Sequence, residues 1–91
     1  VKVIDTSNYE IVDTIDIGGT AYGISAMPSG KYVYVANLSD GSVSIIRTSD
    51  NVVEETVEIG GYGVFDLCIL PSGNRVYVLG APGDEEVTVL E

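Results

Sequence analysis

The feature that most restricts what this chain can become is that it repeats itself. Val3-Ile4-Asp5-Thr6-Ser7 returns 42 residues later as Ile45-Ile46-Arg47-Thr48-Ser49. The same offset carries Thr14-Ile15-Asp16-Ile17-Gly18-Gly19 onto Thr56-Val57-Glu58-Ile59-Gly60-Gly61. Met27-Pro28-Ser29-Gly30 and Val33-Tyr34-Val35 return as Leu70-Pro71-Ser72-Gly73 and Val76-Tyr77-Val78 at an offset of 43, so one residue enters the second copy's glycine loop. Val87-Thr88-Val89-Leu90 then starts the pattern a third time, matching Val1-Lys2-Val3-Ile4 and Val43-Ser44-Ile45-Ile46. A period near 40 residues marks a chain built by stacking one supersecondary unit on the next, because a single unit cannot bury its apolar face alone.

Each period reads as four short strands rich in valine, isoleucine, threonine and tyrosine, separated by turn residues, and no segment has helical periodicity. Residues 11–17 and 53–59 alternate, with Ile15 and Ile17 or Val57 and Ile59 on one face and Asp16 or Glu58 on the other. Half-buried alternation suits an outer strand. Ile24-Ser25-Ala26-Met27 and Leu67-Cys68-Ile69-Leu70 are apolar or small on both faces, as expected of inner strands covered on both sides. Pro28-Ser29-Gly30 and Pro71-Ser72-Gly73 predict tight hairpins, and the glycine segments 18–22 and 60–65 should carry the chain from an outer strand to the next inner one. The expectation is an all-β chain of four-stranded antiparallel sheets, the blades of a β-propeller, with one partial domain over 1–91. The first repeat spans about 1–42, the second about 43–86, and a third begins at 87–91.

Tyr34-Val35-Ala36-Asn37, preceded by Pro28-Ser29-Gly30-Lys31 and accompanied by the Val3-Ile4-Asp5-Thr6 strand and the Tyr22-Gly23 step, resembles the YVTN repeat. That family builds seven-bladed propellers in archaeal and bacterial cell-surface proteins, of the kind found in surface layers. The resemblance covers essentially the whole chain and implies a cell-surface or periplasmic location. The second copy departs from it. Tyr77-Val78-Leu79-Gly80 lacks the asparagine, Arg47 replaces the aspartate, and Phe65-Asp66 stands in place of Tyr22-Gly23.

About two blades make an incomplete ring, since a blade packs both faces against neighbours and rings hold roughly 4 to 8 of them. Val33, Val35, Ile45, Val76, Val78 and Val89 are then expected to contribute to an open apolar patch larger than a soluble monomer tolerates. The expected partners are the remaining blades of a longer propeller or further copies of the same chain, with the first favoured because the repeat is cut out of phase.

Chemistry is restricted by what the chain lacks. With no histidine and one cysteine, imidazole-type metal centres and a Cys-His nucleophile pair are excluded, so the reading is not an enzyme and carries no cofactor and no metal. Cys68, inside an apolar run, is expected to pack as a small hydrophobe. Fourteen acidic residues against four basic ones give a net charge of −10, which repels nucleic acid and anionic membrane, and no apolar run is long enough for membrane insertion. Gly83-Asp84-Glu85-Glu86 offers oxygen ligands but lacks the alternating spacing that wraps calcium. Asn37-Leu38-Ser39 fits the glycosylation acceptor pattern in an expected loop.

Propeller function concentrates on the rim where loops of several blades converge. Here that rim should present Tyr22, Tyr62, Phe65 and Asp66 from the crossing segments, and Asn37, Asp40, Asp84 and Glu85 from the polar loops. Aromatics beside carboxylates suit a protein or carbohydrate ligand. Of these, Tyr22, Asn37, Asp40, Phe65 and Asp66 are the ligand-binding candidates. The function expected is a non-enzymatic binding or structural module, with the scaffold portion of a propeller enzyme, similar to lactonases or the heavy subunit of amine dehydrogenases, as the alternative.

Overall fold

A computed structural model of the chain describes residues 1–60, 63–80 and 87–90. Among them are nine strands and no helix. The first sheet pairs β1 (Lys2–Ile4) with β2 (Ile11–Thr14). The second orders β3 (Ala21–Ala26), β4 (Tyr32–Asn37), β5 (Ser42–Arg47) and β6 (Val52–Glu58), and the third orders β7 (Val64–Ile69), β8 (Val76–Gly80) and β9 (Val87–Leu90). Every pairing is antiparallel between sequence neighbours. The chain is therefore the outer half of one blade, a whole blade, and three strands of another.

Local chemistry accounts for the turns. Met27 and Leu70 each open a hairpin whose glycine, Gly30 at φ 76° or Gly73 at φ 75°, donates its amide back to the opening carbonyl. That left-handed conformation carries a steric cost for any residue with a Cβ. The outer hairpins reverse through a non-glycine residue in the same region, Tyr9 at φ 62° and Asn51 at φ 59°, each donating its amide to the residue four before it.

Alternation along β4 and β5 divides the middle sheet into two apolar faces. On one face Val35 and Ile46 join Ile15, with Val1, Val3, Ile17, Val33 and Val53 packed around them. On the other, Ala36 and Val43 meet Val64, Leu67, Val76 and Val78. Register holds the faces together, since Val33 lies opposite Ile46 and Tyr34 opposite Ile45.

Several burial expectations require correction. The inner strands are covered on one side only: Leu67 is buried, but its repeat equivalent Ile24 is 58% exposed, and Cys68 is exposed rather than packed. Val35, Val76 and Val78, expected in the open patch, are buried: the first sheet lies over Val35, and the middle sheet over Val76 and Val78. Val89 is exposed as expected, and the rest of the open apolar surface lies on Ile4, Ile11, Val12 and Ile24 toward one end and on Tyr77, Leu79 and Val87 toward the other.

Candidate functional site

The rim is organised by residues 38–41, which link β4 to β5 and are held between two crossing segments. On one side Thr20 donates its amide to Ser39 Oγ at 3.0 Å and accepts the Leu38 amide at 2.8 Å. On the other, the Gly41 carbonyl accepts the amides of Ile59 and Gly60 at 2.8 and 2.9 Å. These bonds bring the segments entering β3 and β7 to the same end of the molecule as residues 38–41.

A β-bulge follows each entry at the same repeat position. Three steps along β3 from Ala21 to Ile24 match two along β4 from Asn37 to Val35, and two steps along β7 from Val64 to Asp66 match one along β8 from Gly80 to Leu79. The extra residue shifts a side chain out of its place in the pleat. Tyr22 and Phe65 are thereby stacked on one another, ring centroids 4.3 Å apart and planes inclined by 30°. Tyr22 is 59% exposed and Phe65 half-buried. Gly23 permits this approach, because a Cβ there would overlap the Asp66 side chain and lie 2.9 Å from its Cα. Asp66 is exposed and accepts the Leu67 amide through Oδ1 at 2.8 Å, leaving its second oxygen available.

The structure thus brings together three of the five candidates, Tyr22, Phe65 and Asp66. Asp40 is at the same rim, exposed, accepting the Ser39 hydroxyl at 2.8 Å. Asn37 is different. It is the last residue of β4, not a loop residue, and only 1% exposed, donating its amide to Ser42 Oγ and Ser44 Oγ at 2.8 Å each while its own oxygen has no partner. A buried asparagine is accessible neither to a ligand at the rim nor to a glycosylating enzyme, so both expectations for it are corrected. The serine partners were not singled out from sequence, although Ser42-x-Ser44 opposite Val35 and Asn37 on an otherwise apolar strand is a readable signal. Tyr62, Asp84 and Glu85, with the acidic stretch 83–86, lie outside the described residues. Among those described, no group of three histidine, cysteine, aspartate or glutamate side chains is placed to hold a metal.

The shifted ionisations lie away from this rim. Hydrogen bonds from the Ser7 hydroxyl and amide lower the Asp5 pKa, and the Arg47 guanidinium lowers that of Asp50, 2.7 Å away, while also meeting Glu54 at 3.1 Å. Burial raises the Tyr34 pKa, with lesser contributions from Tyr32 and Glu54. A recess of about 310 Å³ between the hairpins holds Lys31 and Arg47. Its floor is structural: Thr48 donates its hydroxyl to Gly30 and its amide to Lys31, and the Arg47 charge is already matched by two carboxylates.

No protein-family model matches the chain, and no curated protein matches it. Solved structures do. Hydrazine synthase of Kuenenia stuttgartiensis superposes with a TM-score of 0.93 at 18% identity, over 99% of this chain and 26% of that one. The β-propeller domain of Myceliophteria thermophila Cps50 (Swd1) gives 0.64 at 14% identity, over 78% and 24%. A functionally unknown protein from Desulfotomaculum acetoxidans gives 0.66 at 28% identity, over 87% and 26%. The chain spans about a quarter of the length of each of these structures. With the antiparallel sheets, the likeness establishes propeller-type blades; at such identities it carries the fold and not the activity.

Proposed function

We propose that this chain is a non-enzymatic binding module of the YVTN propeller type, belonging to a cell-surface or periplasmic protein, and that it takes a carbohydrate ligand at the Tyr22–Phe65–Asp66 rim. The observation that carries the reading is the paired bulge. At equivalent positions of successive inner strands it sets an aromatic pair beside an exposed carboxylate. An aromatic face packs against the apolar side of a pyranose ring, and a carboxylate oxygen accepts its hydroxyls. Support for the family comes from Asn37, whose bonds to Ser42 and Ser44 give a motif asparagine a physical task at the β4–β5 junction.

The test uses the chain's own six tyrosines, which report without competition from tryptophan. Titration with cellohexaose and chitohexaose should give a saturable change in tyrosine fluorescence that Tyr22→Ala and Phe65→Ala abolish. Absence of any saturable signal, or binding by Tyr22→Ala equal to that of the parent, overturns the carbohydrate site. A protein ligand would then be sought at the same rim.

A second reading, the scaffold portion of a propeller enzyme, draws on the superposition of nearly the whole chain on hydrazine synthase. The open reading frame around these residues separates the two. Histidines or acidic clusters converging on the ring axis favour an enzyme, and immunoglobulin-like or anchoring segments favour a surface module.

A further inference from the structure

Charge is sorted along the strands. Residues 38–41, the entries to β3 and β7 and the last residue of β6 stand at one end of the sheets, and the hairpins after β1, β3, β5 and β7 stand at the other. The rim end carries Asp16, Asp40, Glu58 and Asp66, all exposed. Among the described residues none of them meets a lysine or arginine, the ion pairs being those of Arg47 with Asp50 and Glu54. Lys31, Arg47 and Arg75 all stand at the hairpin end, and Lys2 on β1 donates to Thr14 Oγ1 at 3.4 Å. Register within a sheet fixes the end at which a residue stands, so each sheet carries this sorting by itself.

Two of these carboxylates bracket the stacked aromatics. Tyr22 lies in the segment Gly19-Thr20-Ala21-Tyr22-Gly23, which has a glycine on either side of it. A carboxylate packs against each glycine: a Cβ on Gly19 would stand 2.5 Å from Asp40 Oδ1, and one on Gly23 would overlap the Asp66 side chain. The two are held alike. Asp40 Oδ1 accepts the Ser39 hydroxyl and Asp66 Oδ1 the Leu67 amide, each at 2.8 Å, so Oδ2 of both is available to a ligand. The exposed Tyr22 ring, stacked on Phe65, is thus flanked by two anchored carboxylates that have no basic partner among the described residues.

We propose that the sugar this rim selects is an amine-bearing one, a glucosamine oligomer whose ammonium groups sit over the Tyr22 ring and between Asp40 and Asp66. This rests on the carbohydrate reading above and adds the charge of the ligand to it. A neutral pyranose gains stacking and hydroxyl hydrogen bonds at such a rim. An ammonium gains in addition the negative face of the aromatic ring and charge-assisted hydrogen bonds to the two Oδ2 atoms. A uronate or sulfated sugar meets like charge, and the bases that would offset it stand at the other end of the strands. The net charge of −10 adds a long-range attraction for the same class of ligand.

The test compares the glucosamine hexamer with chitohexaose, which has the same backbone and linkage but neutral N-acetyl groups, and with cellohexaose. Tyrosine fluorescence is read at about pH 5.5, above the ordinary carboxylate range and below that of the sugar amine. The glucosamine hexamer should bind about tenfold more tightly than chitohexaose at low salt, and that ratio should shrink toward one in about 0.5 M salt. Asp40→Asn and Asp66→Asn keep the Oδ1 acceptor and should each lower the ratio about threefold. Glu10→Gln removes the same charge from the hairpin end and should leave the ratio unchanged. Equal affinity for the glucosamine hexamer and chitohexaose overturns the inference and leaves the carbohydrate site standing. A ratio that neither asparagine variant lowers, or that Glu10→Gln lowers as much, also overturns it, since net charge alone would then attract the ligand. No binding of any of the three hexamers removes the carbohydrate reading, and this inference with it.

Discussion

Leu67 and Ile24 sit at the same position of the same repeat, on equivalent inner strands, yet one is buried and the other 58% exposed. The difference lies in what stands opposite. Leu67 faces a full sheet, which supplies Ala36, Val43 and Tyr34. Ile24 faces a sheet with only its outer two strands, so the place where inner strands would lie over it is open. In a repeat architecture, burial is a property of the contact between units and cannot be assigned to a unit by itself.

The comparison can be broken first with paired truncations. Leu67→Ala should cost about 2–5 kcal/mol, the range for emptying a packed core site, and Ile24→Ala less than about 1 kcal/mol in the monomer. Urea denaturation read by circular dichroism gives both, and equal losses would remove the distinction between the two faces.

The next effect concerns the strand that both faces share. Asn37→Ala should cost about 1–3 kcal/mol, since it leaves the buried Ser42 and Ser44 hydroxyls without their amide. Gly80, its repeat equivalent, has no side chain to form such a cluster, so Gly80→Ala is expected to lack this penalty. Comparable losses at both positions in the same denaturation series would show that the polar cluster is not what anchors β4 to β5.

A smaller effect separates the two outer hairpins. Tyr9 and Asn51 occupy the same left-handed position, which asparagine tolerates better than tyrosine. Tyr9→Asn should therefore stabilise by up to about 1 kcal/mol and Asn51→Tyr destabilise by a similar amount, measured as shifts in urea midpoint. The smallest effect is in the pH dependence. The folded pKa of Asp50 lies below its ordinary value of 3.8 because Arg47 bonds the carboxylate. Its contribution is therefore complete above that value and is lost as pH falls through the lower folded one. Arg47→Gln should flatten the acid limb of the stability curve slightly, the pair being exposed and screened.

Much of this was legible in the residues. The strand order, the hairpins at Pro28-Ser29-Gly30 and Pro71-Ser72-Gly73, and the out-of-phase cut all follow from local turn chemistry and a period of about 42. The site was legible only in part. Tyr22 and Phe65 stood out as aromatics at equivalent positions, but the bulge that stacks them depends on register between strands, and alternation alone does not reveal an extra residue. For Asn37 the sequence suggests a loop, because asparagine after an apolar run resembles a turn, whereas the two serines across the ladder draw it into the sheet. The apolar neighbours of Cys68 predict burial, yet it is exposed, because among the described residues no sheet lies over that face.

The sequence by itself determined the unit: strands whose period-two alternation offers an apolar face on each side, joined by turns that glycine, proline and asparagine set locally. Only the tertiary structure decided which faces are satisfied. Burial requires a partner surface, and among the described residues the middle sheet alone has one on both sides. The repeat announces two apolar faces per blade; the arrangement of sheets leaves one of them open at each end, where Ile24 and Tyr77 stand exposed.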